Sequence, residues 1–257
     1  MANIDPIINQ PFLYMNGLQI SNDTTTPTTL LDIGVGQCRD STNSIDIIVS
    51  APLVINAAFL GVNGIDAGTL AASSLYYVYI VADQAGFNQP GAVISLSSTG
   101  PILPKGQFPS NYSSWRLIGC VSTDSGIHFL PGYWSGNNNY RLFTFDAPQA
   151  TAITSGASSA YAPVSLIKWV PLINNLPVNI AFSFTPAAAS NALNMQGVNS
   201  TGNAVTITGQ VASVVVSGNA TVLSQNIIVS TVLTPEINYK VSGGTVAINV
   251  AGFQMFI

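Results

Sequence analysis

Charge is almost missing from this chain, and that constrains it more than any motif does. Among 257 residues there are six Lys or Arg and ten Asp or Glu. That is 6% charged, where an ordinary soluble domain carries roughly 25%. A lone folded monomer with so few charges has little protection against association. The composition therefore predicts a surface partly covered by other subunits, since loss of charge marks subunit contacts. The acidic residues are nine Asp and a single Glu, Glu236. Asp favours turns and caps, whereas Glu favours helices. No long stretch shows the apolar spacing of an amphipathic helix. The chain reads as β-strand and loop.

The same inventory excludes several roles. Six dispersed cations form no patch able to neutralise adjacent phosphates, so nucleic-acid binding is not expected. Apolar runs are broken by Pro, Lys or Asn well before 18 residues, so no membrane insertion is expected. The first ten residues contain Asp5 and Pro6 and no basic start, which is not a secretory pattern. Assembly in a cytoplasm is the corresponding expectation. Cys38 and Cys120 match no metal spacing. They read as two buried thiols.

Residues 1–15 read as an extended lead-in, because Asp5-Pro6 and Gln10-Pro11 bias the backbone away from helix. Strand-like runs follow at 12–20, 30–33 and 44–50, with 34–43 as a loop. Residues 74–82 form the strongest strand signal, rich in Tyr, Val and Ile. The next strand is 92–96. Residues 115–123 and 126–134 flank Asp124-Ser125 and read as a hairpin. Residues 147–163, rich in Ala, Ser and Thr, fit either a linker or a small-residue strand with turns. Strands resume at 164–170, 178–184, 192–197, 204–208, 211–217, 221–229, 237–241, 245–250 and 253–257. Turn signals recur about every ten residues, a spacing typical of sandwiches and barrels.

Residues 17–50 add a resemblance. Gly17-Leu18-Gln19-Ile20-Ser21-Asn22-Asp23, Thr26-Pro27, Leu31-Asp32-Ile33 and Gly36-Gln37-Cys38-Arg39-Asp40-Ser41-Thr42-Asn43 together resemble a segment of bacteriophage tail and virion structural proteins. Echoes follow at 66–73, 76–80, 115–119, 127–131, 239–241 and 250–253. The resemblance implies a particle component encoded among tail genes, and it carries no catalytic residues. By their own chemistry, the short polar side chains of Asp40, Ser41, Thr42 and Asn43 fix turns. Arg39 and Asp40 are further expected in an ion pair with Asp32 or another carboxylate.

The search for chemistry returns little. His128 is the only histidine, so any Ser-His-Asp arrangement would have to use it. It reads instead as a strand residue beside core positions. Gly34-Val35-Gly36 lacks the Lys and the helix of a phosphate loop. One Glu and scattered Asp give no clear glycosidase pair. No catalytic, cofactor or metal residues are assigned. A polysaccharide-degrading enzyme remains the third reading. For ligand binding, Tyr133, Trp134 and Tyr140 offer aromatic faces, and Asn137, Asn138 and Asn139 offer amides, a combination suited to sugar rings. Tyr112 and Trp115 form a weaker pair of the same kind. The alternative is that these aromatics end a strand in the core and the asparagines only turn the chain.

The sequence thus predicts an all-β protein of antiparallel, jelly-roll-like β-sandwiches in a homo-oligomer. Two sandwiches are expected, 16–146 and 147–257, behind an attachment segment at 1–15. A single continuous sandwich is the runner-up. The expected role is a non-enzymatic bacteriophage virion protein: a tail fibre or tail-associated adhesin in host attachment. It would be a homotrimer that contacts other virion proteins through the N-terminal segment and a host surface glycan through its loops. The alternative is a purely architectural capsid decoration, head fibre or tail adaptor.

Overall fold

The computed structural model describes residues 13–86, 88–103, 112–137, 140–146, 150–173, 176–188, 191–198, 204–205, 211–212, 221–229 and 235–255. These residues are all strand, turn or loop, with no helix among them. The chain divides into two compact units, Met1–Phe143 with Met255–Ile257, and Thr144–Gln254.

The strands of the first unit are β1 (Met15–Gly17), β2 (Ile20–Asn22), β3 (Leu30–Ile33), β4 (Gly36–Arg39), β5 (Asp46–Val49), β6 (Leu53–Asn56), β7 (Gly64–Ile65), β8 (Leu75–Asp83), β9 (Gly91–Ser95), β10 (Tyr112–Ser122), β11 (Gly132–Asn137) and β12 (Tyr140–Phe145). One sheet runs β1-β4-β5, a second β10-β8-β9-β7, and a third contains β12-β11-β2-β3-β6. Neighbours are antiparallel except β7 and β9, which run parallel. The second and third sheets face each other as a sandwich. A Cβ placed on Gly119 of β10 would lie 2.6 Å from Ile20 Cδ1 of β2 and 2.9 Å from the Trp134 ring of β11. β8 is buried along its length from Tyr76 to Asp83. A strand covered on both faces reads as a continuous apolar run rather than an alternating one. That explains why residues 74–82 gave the strongest signal. Its tyrosines keep their hydroxyls satisfied: Tyr79 donates to Ser97 O at 2.7 Å, and Tyr76 donates to Thr69 O at 3.3 Å.

The run expected at 12–20 is split in two. Gly17 (φ 71°) and Leu18 (φ 55°) turn the chain between β1 and β2. Leu18 is fully buried and its N–H donates to Val35 O at 3.0 Å. Gly17 pairs with Gly36 across β1 and β4. A Cβ on Gly36 would sit 2.3 Å from Asn16 O, and one on Gly17 2.3 Å from Val35 O. Only glycine fits at either position. The loop expected at 34–43 therefore contains a strand, β4, followed by the anticipated polar turn. In that turn the Asp40 carboxylate accepts the Ser44 N–H at 2.6 Å, the Ile45 N–H at 3.0 Å and the Thr42 hydroxyl at 2.6 Å. Of the carboxylates open to it, Arg39 pairs with one other than Asp32. Arg39 Nε lies 3.5 Å from Asp46 Oδ1, not beside Asp32, because β4 pairs with β5 and puts Arg39 opposite Asp46.

The hairpin expected across 115–134 is also corrected. Thr123 bridges Phe129, and Leu130 N–H donates to Ser122 O at 2.8 Å. Beyond that the strands part, because β10 pairs with β8 while β11 pairs with β2.

Among the described residues no strand lies on the outer side of β10. Its register shifts by a residue between Leu117 and Gly119. Four of its carbonyls, those of Trp115, Ile118, Cys120 and Ser122, accept bonds from groups outside β8. Trp115 O accepts Ser41 N–H at 2.7 Å, and Ile118 O accepts Arg141 Nη1 at 3.0 Å. Cys120 O accepts Trp134 Nε1 at 3.0 Å, and Ser122 O accepts Leu130 N–H. Side chains and loop amides close an edge that would otherwise template pairing with another chain.

Arg141 does more than seal that edge. It also donates from Nη1 to Leu18 O at 2.7 Å and from Nη2 to Gly17 O. It is 3% exposed, and no carboxylate pairs with it among the described residues. Burial lowers its pKa to about 10. Close by, burial pushes the Cys38 thiol up to about 12, an effect opposed in part by Arg116 and Arg141.

The strands of the second unit are β13 (Thr151–Gly156), β14 (Ala162–Ser165), β15 (Leu176–Thr185), β16 (Ala192–Val198), β17 (Ala204–Val205), β18 (Val211–Ala212), β19 (Thr221–Val229), β20 (Glu236–Val241) and β21 (Thr245–Met255). One sheet contains β19-β15-β21, with β13 on β21. The other runs β14-β20-β16-β17, with β18 on β16. Period-two burial is clear: Val178, Ile180, Phe182 and Phe184 face inward from β15, and Ile237, Tyr239 and Val241 from β20. A Cβ on Gly156 of β13 would meet the Tyr239 hydroxyl of β20 at 2.6 Å, so these two sheets also pack face to face. The stretch left open between linker and strand holds two strands, β13 and β14; residues 147–149 lie outside the described residues. The strand expected at 164–170 ends at Ser165. There Trp169 and Val170 both donate to Leu166 O at 2.9 Å and wind the chain into a turn.

Two predictions follow from the first unit. Arg141→Met keeps an apolar stem but orphans the carbonyls of Gly17, Leu18 and Ile118. It is expected to cost on the order of 3 kcal/mol, read as a lower urea midpoint. The second concerns alkali. An unfolded thiol ionises near its ordinary value of 9.0, whereas burial keeps folded Cys38 protonated until about 12. Stability held below the lower value is thus lost as pH climbs through that window. Cys38→Ala should flatten this alkaline loss in denaturant titrations, and both native thiols should resist labelling until the chain unfolds.

Candidate functional site

Among those whose side chains are described, the ligand residues read from the sequence do not share one exposed face. Tyr133 and Trp134 are neighbours on β11, and successive strand residues point to opposite faces. Tyr133 is half exposed and paired in register with Ser21. Trp134 is 4% exposed; its indole donates to Cys120 O and packs on Phe143 at 5.1 Å between ring centroids. It is a core residue and offers no face to a sugar. Asn137 and Tyr140 have described backbones in β11 and β12, while Asn138 and Asn139 lie outside the described residues. The second pair is also committed to packing. Tyr112 is buried and donates to Gln89 O. Trp115 meets Tyr79 edge-on at 5.3 Å, and Gly100 lies against its ring.

His128 is not on a strand. It is exposed beside Ile127, whose φ is 67°. Its Nδ1 lies 3.3 Å from Asp124 Oδ2. Asp124 Oδ1 accepts the Gly126 and His128 N–H groups, and these backbone bonds, led by that from His128, lower its pKa. The pair builds a turn, and among the described residues no serine hydrogen-bonds to the ring.

What the structure does form is a groove in the second unit that the sequence gave no reason to notice. It encloses about 310 Å³. Ile153 of β13, Pro163 and Ser165 of β14, and Ile167, Lys168 and Trp169 of the following turn line it. The turn is anchored at its start, where Leu166 N–H donates to Pro235 O at 2.7 Å. β14 is an edge strand, and Pro163 within it has no N–H to offer another strand. The neighbouring strand β20 carries a second cation, with Lys240 Nζ 4.7 Å from the Tyr161 ring centroid. Val164–Val170 looked like apolar strand in sequence, so the exposure of Ile167 and Lys168 and the half-burial of Trp169 were not legible.

Separate predictions attach to the two β11 aromatics. Tyr133→Ala should leave stability nearly unchanged. Trp134→Ala should cost about 3–5 kcal/mol, measured by chemical denaturation.

No family model matches the chain, and no curated protein matches it. Among solved structures, it is similar to a chain in the structure of infectious bursal disease virus Gx strain. That match has 14% identity over 97% of this chain and 73% of that one, with a TM-score of 0.27. It is similar also to a chain of the infectious bursal disease virus VP2 subviral particle, at 13% identity over 96% and 73% with a TM-score of 0.25. Scores of this size establish neither a shared fold nor a shared role.

Proposed function

We propose that this chain is a non-enzymatic structural protein of a bacteriophage particle, placed in the tail, where it contributes to host attachment. The observation that carries the reading is where its charge goes. Asp40, Asp46, Asp66, Asp83, Arg116 and Arg141 are all buried, so six of only 16 charged residues are withdrawn from a surface that had few to draw on. Such a surface suits a permanent assembly rather than a freely diffusing enzyme. The resemblance of residues 17–43 to tail and virion proteins supports the same reading. In the fold that block builds β2, β3 and β4 and supplies two of the three carbonyls bound by Arg141, those of Gly17 and Leu18. In this proposal the protein is a homotrimer, joined to other virion proteins through its N-terminal segment and touching host glycan with exposed loops. A second reading, a capsid decoration or adaptor with a purely architectural role, is favoured by the closed edge of β10.

Immunogold labelling of purified particles tests both. Label on the tail, together with purified protein that blocks adsorption, is the expected result. Label on the head favours the architectural reading, and unlabelled particles would falsify the virion assignment.

A further inference from the structure

We propose that the groove between β13 and the turn after β14 binds the carboxylated ring of an acidic sugar. The inference rests on the reading above that this protein meets host surface glycan, and it moves that contact away from β11. Three features converge. Lys168 is exposed at the groove and makes no ion pair among the described residues. The adjacent Trp169 indole is half-buried, on a turn fixed by the Trp169 backbone N–H, which donates to Leu166 O at 2.9 Å. Ser165 adds a hydroxyl, and Ile153 and Pro163 form the apolar wall.

A pyranose ring has one apolar C–H face and a rim of hydroxyls, which an aromatic face and a hydroxyl donor can match. The occupant is chosen by charge. An ammonium without a carboxylate partner favours an anionic ligand over a neutral one. The ladder also sets the ligand's direction. Ser165 pairs in register with Glu236, the chain's only glutamate. A ligand carboxylate is therefore repelled from the Ser165 end and drawn to the Lys168 end, leaving ring hydroxyls toward Ser165.

The three tryptophans provide the readout. In ¹⁵N-labelled full-length protein, methyl β-D-glucuronide is titrated against methyl β-D-glucoside while the indole N–H signals are followed. The Trp169 signal should move with the glucuronide and stay still with the glucoside, and those of Trp134 and Trp115 should not respond. Affinity near millimolar is expected, about 4 kcal/mol. Lys168→Gln, at an exposed site, should weaken binding about tenfold or more, and added salt should weaken it further. A silent Trp169, an equal response to both glycosides, or no effect of Lys168→Gln overturns the inference. Particle labelling is independent of this titration. Labelled tails with a silent Trp169 remove only the sugar site, whereas a responsive Trp169 on a protein absent from particles removes only the virion reading.

Discussion

The Arg141 guanidinium is the interaction on which the first unit depends. A buried cation without a carboxylate is costly unless its N–H groups are satisfied. Arg141 meets that condition with backbone carbonyls alone: Gly17 and Leu18 at the turn between β1 and β2, and Ile118 at the bulge of β10. One side chain thereby fixes a turn with two positive-φ residues to the outer edge of a strand in another sheet. The closure of β10 and the close pass of Gly17 over Gly36 are both built around it.

The same economy governs the other charged groups. Asp40, Asp83 and Asp124 spend their oxygens on backbone N–H groups of the turns they sit in. Asp23 does likewise for Thr25 and Thr26, and those bonds lower its pKa, that to Thr26 first. Asp40 and Asp83 are buried as turn staples and Arg141 as an interior brace, whereas Asp23 and Asp124 hold their turns at the surface. Phe59, Leu60 and Val54 are exposed around the β6 edge. An exposed lysine beside a half-buried tryptophan is what gives the Lys168 groove its meaning.

Much of the fold was legible where the local signal was long. Residues 178–184 lie within β15, all but the first of residues 74–82 lie within β8, and even the short run 30–33 coincides with β3. Short strands were less visible. β4 and β6 have four residues each, and glycine or proline beside them reads as loop. The hairpin at 115–134 failed because its two strands have stronger partners elsewhere, β8 and β2. The binding residues failed for a geometric reason: grouping Tyr133 with Trp134 ignores that a strand sends neighbours to opposite faces.

What the sequence by itself determined is the β class, the turns built by Asp and Gly, and a chain in which only 6% of residues carry charge. Those properties are local or compositional, so they survive without knowledge of pairing. Tertiary structure alone decided which strand pairs with which, that Arg141 braces three carbonyls, that Trp134 is core, and that Lys168 and Trp169 share a groove. Each of these joins residues far apart in the chain or depends on which face of a strand is covered, and one-dimensional spacing carries no record of either.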